Sequence, residues 1–137
     1  MLHLAMRKDE LLPFPLEIRA GLPVFEQLVY AVEKAVISGL LKEGDRFPSV
    51  RAVSRELRIH PNTVQKAISA LVGEGLLEVH PGIGTVVSTR LGAGSGGGVK
   101  LLKEEIERLV VEAKKRRIRI EDLQRSVAEQ WERLSNE

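Results

Sequence analysis

Seven consecutive small residues, Gly92-Ala93-Gly94-Ser95-Gly96-Gly97-Gly98, constrain this chain more than any other stretch. They offer no large side chain to bury and the most backbone freedom available, so residues 91–98 read as a flexible linker. Any packed core must therefore close on one side of it. A mixed segment lies before it, and a charged, Leu-containing segment (99–137) follows. The glycines also match G-x-G-x-x-G at Gly92, Gly94 and Gly97. A dinucleotide fingerprint needs a surrounding βαβ unit, however, and the residues that follow are helical in period throughout. The linker reading is preferred.

With 137 residues, the chain has room for one ordinary domain, or a small domain with an appendage. Aromatics are only 4% of it, so Leu, Val, Ile and Ala must build the core. The absence of Cys removes disulfides, thiolate metal sites and cysteine nucleophiles together, and suits a reducing cytosol. No apolar run approaches the ~20 residues of a membrane span. Leu2–Met6 is too short for a signal-peptide core and is followed by Arg7-Lys8. A cytoplasmic protein with no membrane partner is expected.

The net charge of +2 announces no partner, but its distribution does. Arg46, Arg51, Arg55, Arg58 and Lys66 face only Glu56 within one stretch, whereas the segment after the linker is nearly balanced. A local basic patch in a near-neutral chain suits a surface that meets an anion-rich partner. An Arg-rich helix surface without a partner fits the charge equally well.

Residues 1–21 carry little signal, although Leu12–Ile18, interrupted by Pro13 and Pro15, suits an irregular edge segment. The spacing of Val24, Phe25, Leu28, Val29, Val32, Ala35 and Val36 predicts a helix that starts at Pro23 and stops near Gly39. Ser49 can cap a second, short helix with Val50, Val53 and Leu57 inward and Arg51, Arg55 and Arg58 outward. A third helix starts at Pro61 with His60 at its cap, buries Val64, Ala67, Ile68 and Leu71, and ends at Gly75. Residues 76–79 and 85–88 are β-prone, and the glycines between them allow a turn, which makes a two-stranded wing. The expected core is Phe25, Leu28, Val32, Val53, Leu57, Val64 and Leu71.

Past the linker, Leu102, Ile106, Leu109, Val110 and Ala113 form one apolar stripe, and Leu123, Val127, Trp131 and Leu134 form another. Two amphipathic helices joined by a short turn predict an αα-hairpin. So small a hairpin needs a partner, and a second copy of itself is the commonest one. The dimerisation residues are then Leu102, Ile106, Leu109, Leu123, Val127, Trp131 and Leu134. The run Lys114-Lys115-Arg116-Arg117 sits where cations favour a helix C-terminus, which is a simpler account than a separate anion-binding surface.

Helix, short helix, turn, helix and hairpin is the order of a winged helix-turn-helix: mainly α, with a small β wing and a two-helix dimerisation tail. The third helix offers Asn62, Thr63, Gln65 and Lys66 at its N-terminus, where backbone N–H groups also favour a phosphate. Asn and Gln can read adenine edges, and Arg can read guanine. An ordinary three-helix bundle with polar outer faces fits the periodicity too.

Longer motifs carry more weight. Pro23-Val24-Phe25-Glu26-Gln27, Gly39-Leu40-Leu41-Lys42-Glu43-Gly44-Asp45-Arg46-Phe47-Pro48-Ser49-Val50-Arg51 and Asn62-Thr63-Val64 recur at mutual spacings that resemble the GntR family of bacterial winged-helix regulators. Leu71-Val72-Gly73-Glu74-Gly75-Leu76-Leu77 and Gly82-Ile83-Gly84-Thr85-Val86-Val87 continue the match, which covers residues 22–90. The short tail and Pro61-Asn62-Thr63-Val64 resemble its small YtrA-like branch. The resemblance implies a repressor that binds a palindromic operator in double-stranded DNA as a homodimer. It also implies roles: Arg51 contacts bases, Ser49 and Thr63 contact phosphates, and Gly82 and Gly84 let the wing backbone approach the minor groove. Asn62 and Gln65 face the major groove, with His60 and Lys66 beside them. Other branches carry arginine where this chain has Pro61 and Gln65, and leucine where it has Phe47, so no operator sequence carries over.

His3, His60 and His80 are too scattered for a metal site, and no Ser/His/Asp arrangement or carboxylate pair suggests an enzyme or a cofactor. The alternative class is a small-molecule sensor or protein-interaction module on a winged-helix scaffold. An effector bound between protomers stays open as a further partner.

Overall fold

The computed structural model describes residues 12–90 and 96–135, which fall into two compact units on either side of residues 91–95. Residues 1–11 of the N-terminal segment, and the linker residues up to Ser95, lie outside the described residues.

In the first unit, α1 (Val24–Ile37) starts one residue later than the sequence suggests, because Pro23 takes extended angles and becomes its cap. Gln27 ties the preceding chain to this helix. Its amide oxygen accepts from the Arg19 N–H (2.8 Å), and its Nε2 donates to the carbonyls of Arg19 (3.0 Å) and Leu22 (3.1 Å). The buried face is Leu28, Ala31, Val32, Ala35 and Val36. α2 (Val50–Leu57) is capped by Ser49, whose hydroxyl oxygen accepts from the Ala52 N–H at 3.1 Å. It stops at Arg58, which adopts a left-handed conformation (φ 57°). The next residue, Ile59, is buried, and its carbonyl accepts from the Ser54 hydroxyl, so the turn is pinned from both sides.

α3 (Pro61–Gly73) is the central element, since α1, α2 and the sheet all pack on it. Proline at N1 loses no bond that an inner helical N–H would have made. Val64, Ala67, Ile68 and Leu71 are its buried stripe, and Gly75 (φ 84°) turns the chain into the sheet. β1 (Leu77–His80) and β2 (Gly84–Val87) pair antiparallel, with Leu77 opposite Val87 and His80 opposite Gly84. Leu77 and Val87 turn into the core.

The wing is broader than two strands. Arg46 bridges to Val86, the Phe47 N–H donates to the Thr85 carbonyl (2.8 Å), and the Val87 N–H donates to the Asp45 carbonyl (2.8 Å). The chain that leads into α2 therefore lines the outer edge of β2. Alternation cannot announce so short a segment.

Two expectations about the core change. Phe25 is 37% exposed, at the rim of the first helical turn, and Leu57 is half-buried against the core. Phe14 takes the aromatic place instead: it is 4% exposed and stacks on Phe47, with ring centroids 5.8 Å apart and planes 11° from parallel. Leu12, Leu16 and Ile18 pack against the same core, so an irregular segment completes it. Burial there comes from a long-range contact, which local periodicity does not encode.

In the second unit, a 3-10 turn at Gly98–Leu102 leads into α4 (Lys103–Lys115), and α5 (Ile120–Arg133) follows a turn in which Arg117 is left-handed (φ 58°). Both expected helices are present, but they do not pack along one another as a closed hairpin. Ala113 is the one buried residue among those described in this unit, while Val110, Leu123 and Leu134 are half-buried. Neither helix has enough apolar surface to close a core with the other alone.

Candidate nucleic-acid interface

The N-terminus of α3 is fixed by its cap. The His60 Nδ1 accepts from the Asn62 N–H at 3.0 Å. With Nδ1 engaged as the acceptor, Nε2 is the ring's remaining donor on an exposed side chain. Asn62, Gln65 and Lys66 are exposed and Thr63 is half-buried, so the first two turns present a polar face opposite Val64, Ala67 and Ile68. Gln65 is steadied by a bond from its Nε2 to the Ser69 hydroxyl (3.3 Å). On α2, Arg51 is exposed beside the cap residue Ser49. That exposure leaves its charge open to a partner.

At the wing, the Ile83 N–H donates to the His80 carbonyl (3.0 Å) and closes the turn. Gly82 (φ 81°) and Gly84 (φ 114°) hold angles that a side chain would strain. The base of the wing is braced by Glu78. Its carboxylate takes His80 Nε2 at 2.8 Å, the Ser88 hydroxyl at 2.7 Å and the Thr89 N–H at 3.3 Å. These bonds, that of His80 foremost and then that of Ser88, hold the Glu78 carboxyl below the usual carboxylate range. A second carboxylate behaves oppositely: Glu33 of α1 is pushed up to about 7, first by burial and then by the facing Glu74 carboxyl at the end of α3.

Between α3, the start of α2 and the wing runs a groove of about 430 Å³. It brings together Ser49, Gln65 and Gly84 of the expected site residues. Arg51, His60, Asn62, Thr63, Lys66 and Gly82 lie outside its walls. Arg46, Val79, Ile83 and Thr85 line it too, although none was among the expected site residues. In the sequence Arg46 stands in the basic stretch and within a family-like motif without a role of its own, because the bridge that positions it is tertiary. Among the described residues, no group of three or more His, Asp or Glu side chains gathers where it could hold a metal. No described helix is long and apolar enough to cross a membrane.

Comparison with known proteins points one way. The sequence model of the bacterial regulatory proteins of the gntR family matches residues 25–87. The HTH-type transcriptional repressor YtrA of Bacillus subtilis is 30% identical over 112 residues, which cover 81% of this chain and 86% of that one. The HTH-type transcriptional regulator Rv1152 of Mycobacterium tuberculosis is 35% identical over 72 residues, covering 53% and 60%. Among solved structures, YtrA from Sulfolobus acidocaldarius, a GntR-family transcription factor, superposes with a TM-score of 0.55 at 27% identity over 71% of this chain and 96% of that one. A transcriptional antiterminator from Listeria monocytogenes shares the fold, with a TM-score of 0.75 at 22% identity over 88% and 91%.

Proposed function

The chain belongs to the GntR family of bacterial regulatory proteins and is a winged-helix, DNA-binding transcription regulator; on that premise we propose that it acts in the cytoplasm as a repressor, binding a palindromic operator as a homodimer. The observation that carries this reading is the N-terminus of α3: capped, exposed, and polar along one face beside the wing. In this reading α3 enters the major groove. Asn62 and Gln65 meet base edges, Arg51 reads a guanine, and Ser49, His60, Thr63 and Lys66 hold phosphates. Gly82 and Gly84 let the wing backbone approach the minor groove. The repressor role is supported by the name of the Bacillus subtilis relative.

The tail supplies the argument for two copies. Residues 22–90 form the DNA-binding domain, and residues 99–137 dimerise it across the linker. Leu102, Ile106, Leu109, Val127 and Trp131 are all exposed, Trp131 at 75%. Such a surface gains most by being covered, and a two-fold pairing covers it with itself. Two α3 helices related by that axis would read a site with matching symmetry.

The test is selection of bound duplexes from a random pool, followed by titration at several salt concentrations. The reading expects a selected palindrome, one dimer per site, and affinity that falls steeply with salt as counterions are released. Selection that yields no common sequence, or a monomer on each duplex, would overturn it.

A further inference from the structure

The groove between α3 and the wing has a composition that base reading alone does not require. Phe47, Val50 and Ile68 of the body and Val79 and Ile83 of the wing make it largely apolar. Val79 and Ile83 are 62% and 54% exposed, aliphatic side chains left in water. Arg46 is the one charged residue on the walls, which carry no carboxylate to neutralise it. Its backbone is held by the bridge to Val86, and its Nη2 donates to the Ile83 carbonyl at 3.4 Å. That single long bond leaves most of the guanidinium donors for another acceptor. Ser49, Thr85 and Gln65 are the polar residues of its lining.

One permanent cation beside aliphatic walls fits one monoanion carried between apolar groups. A phosphodiester flanked by deoxyribose rings has that form. A small amphipathic carboxylate has it too, but the groove shares Ser49, Gln65 and Gly84 with the proposed DNA-facing surface. We infer that this groove seats a sugar-phosphate segment of one operator strand, with Arg46 as its phosphate-binding cation and Val79 and Ile83 against the deoxyribose. The inference rests on the DNA-facing reading above, and it assigns to Arg46 a contact that the family-like motifs do not mark.

The test uses the full chain and an operator selected in vitro. Arg46→Ala should weaken operator and scrambled duplex alike, about tenfold, as expected for one charge-assisted contact. It should also lower the salt slope by about one ion. Arg46→Lys should recover much of the loss, because a phosphate needs a charge more than a fork. Ile83→Ser should weaken binding with the salt slope unchanged. A single neutral methylphosphonate, moved along each operator strand, should find one position that weakens the wild type and leaves Arg46→Ala unaffected. The inference is overturned if no such position exists, or if Arg46→Ala keeps the wild-type salt slope. It is also overturned if benzoate, used as the carboxylate probe, perturbs the groove's NMR signals through Arg46 while Arg46→Ala binds DNA normally. The two readings fail separately. Loss of base preference in Arg51→Ala beside a silent Arg46→Ala sinks this inference alone, whereas failure of the wild type to select any sequence sinks the DNA-facing reading.

Discussion

The two units of this chain solve the same problem in opposite ways. In residues 12–90, three short helices, an irregular segment and a sheet close over one core in which Val32, Val53, Val64, Leu71 and Val87 are wholly buried. In residues 96–135, two helices of similar length bury Ala113 alone among the described residues. Helical propensity does not separate them. The difference is whether apolar stripes converge from several directions: α3 is packed on by three elements, while α4 and α5 each leave a stripe open. A unit of the first kind stabilises itself, and in the proposed dimer one of the second kind is completed by association.

The sharpest way to break that contrast is truncation after Arg90. The shortened chain should stay folded by circular dichroism yet sediment as a monomer. With the second half-site no longer tethered, operator affinity should fall by a factor on the order of 10² to 10⁴. A stable dimer of residues 1–90 would show that the tail is not the completing surface. Phe14→Ala tests the opposite unit. Removing the ring that stacks on Phe47 should cost about 3–5 kcal/mol in denaturant unfolding of the winged unit and leave the tail's helicity intact. A loss below 1 kcal/mol would mean that the N-terminal segment merely rests on the core.

Trp131→Asp should raise the dimer dissociation constant by about thirtyfold or more, the scale of a central aromatic anchor at about 2 kcal/mol. The melting of the winged unit should not change. Unaltered sedimentation would place the interface elsewhere. Arg51→Ala should cost about 1–3 kcal/mol on the operator and relax preference at one base pair, with thermal stability unchanged because the side chain is exposed. Arg51→Lys should recover only part, since a point charge lacks the fork that reads guanine. Equal losses on operator and scrambled duplex would reassign Arg51 to a phosphate.

The smallest effect belongs to Glu33. Its carboxyl titrates near 7 in the folded chain and at 4.5 when unfolded, so the folded state binds the proton more tightly. The stability it contributes is complete below pH 4.5 and is lost as the pH rises through 7. Between pH 5 and pH 8 the winged unit should lose about 1 kcal/mol by this route, allowing for screening at a partly exposed pair. Glu33→Gln should flatten that slope and be the more stable protein at pH 8. Parallel curves for the two proteins would refute it. Glu78, held low by His80 and Ser88, acts in the opposite sense, and its contribution fades only toward acid pH.

What could be read from residues alone was local. Proline and Ser or His caps mark where α2 and α3 begin, Gly75 marks where α3 stops, and period-3.6 stripes name Val53, Val64, Ile68 and Leu71 as buried. The polar face of α3 follows from the same arithmetic, because a helix that buries one side must show the other. Contacts between distant positions were beyond that reach: Phe14 on Phe47, the chain around Arg46 against the edge of β2, and the open faces of α4 and α5. Whether an amphipathic stripe is covered depends on what the rest of the chain brings to it, and in the winged unit several elements do. The groove belongs to that second class, since its walls come from three elements whose residues carry no shared pattern until the fold sets Arg46 beside Ile83.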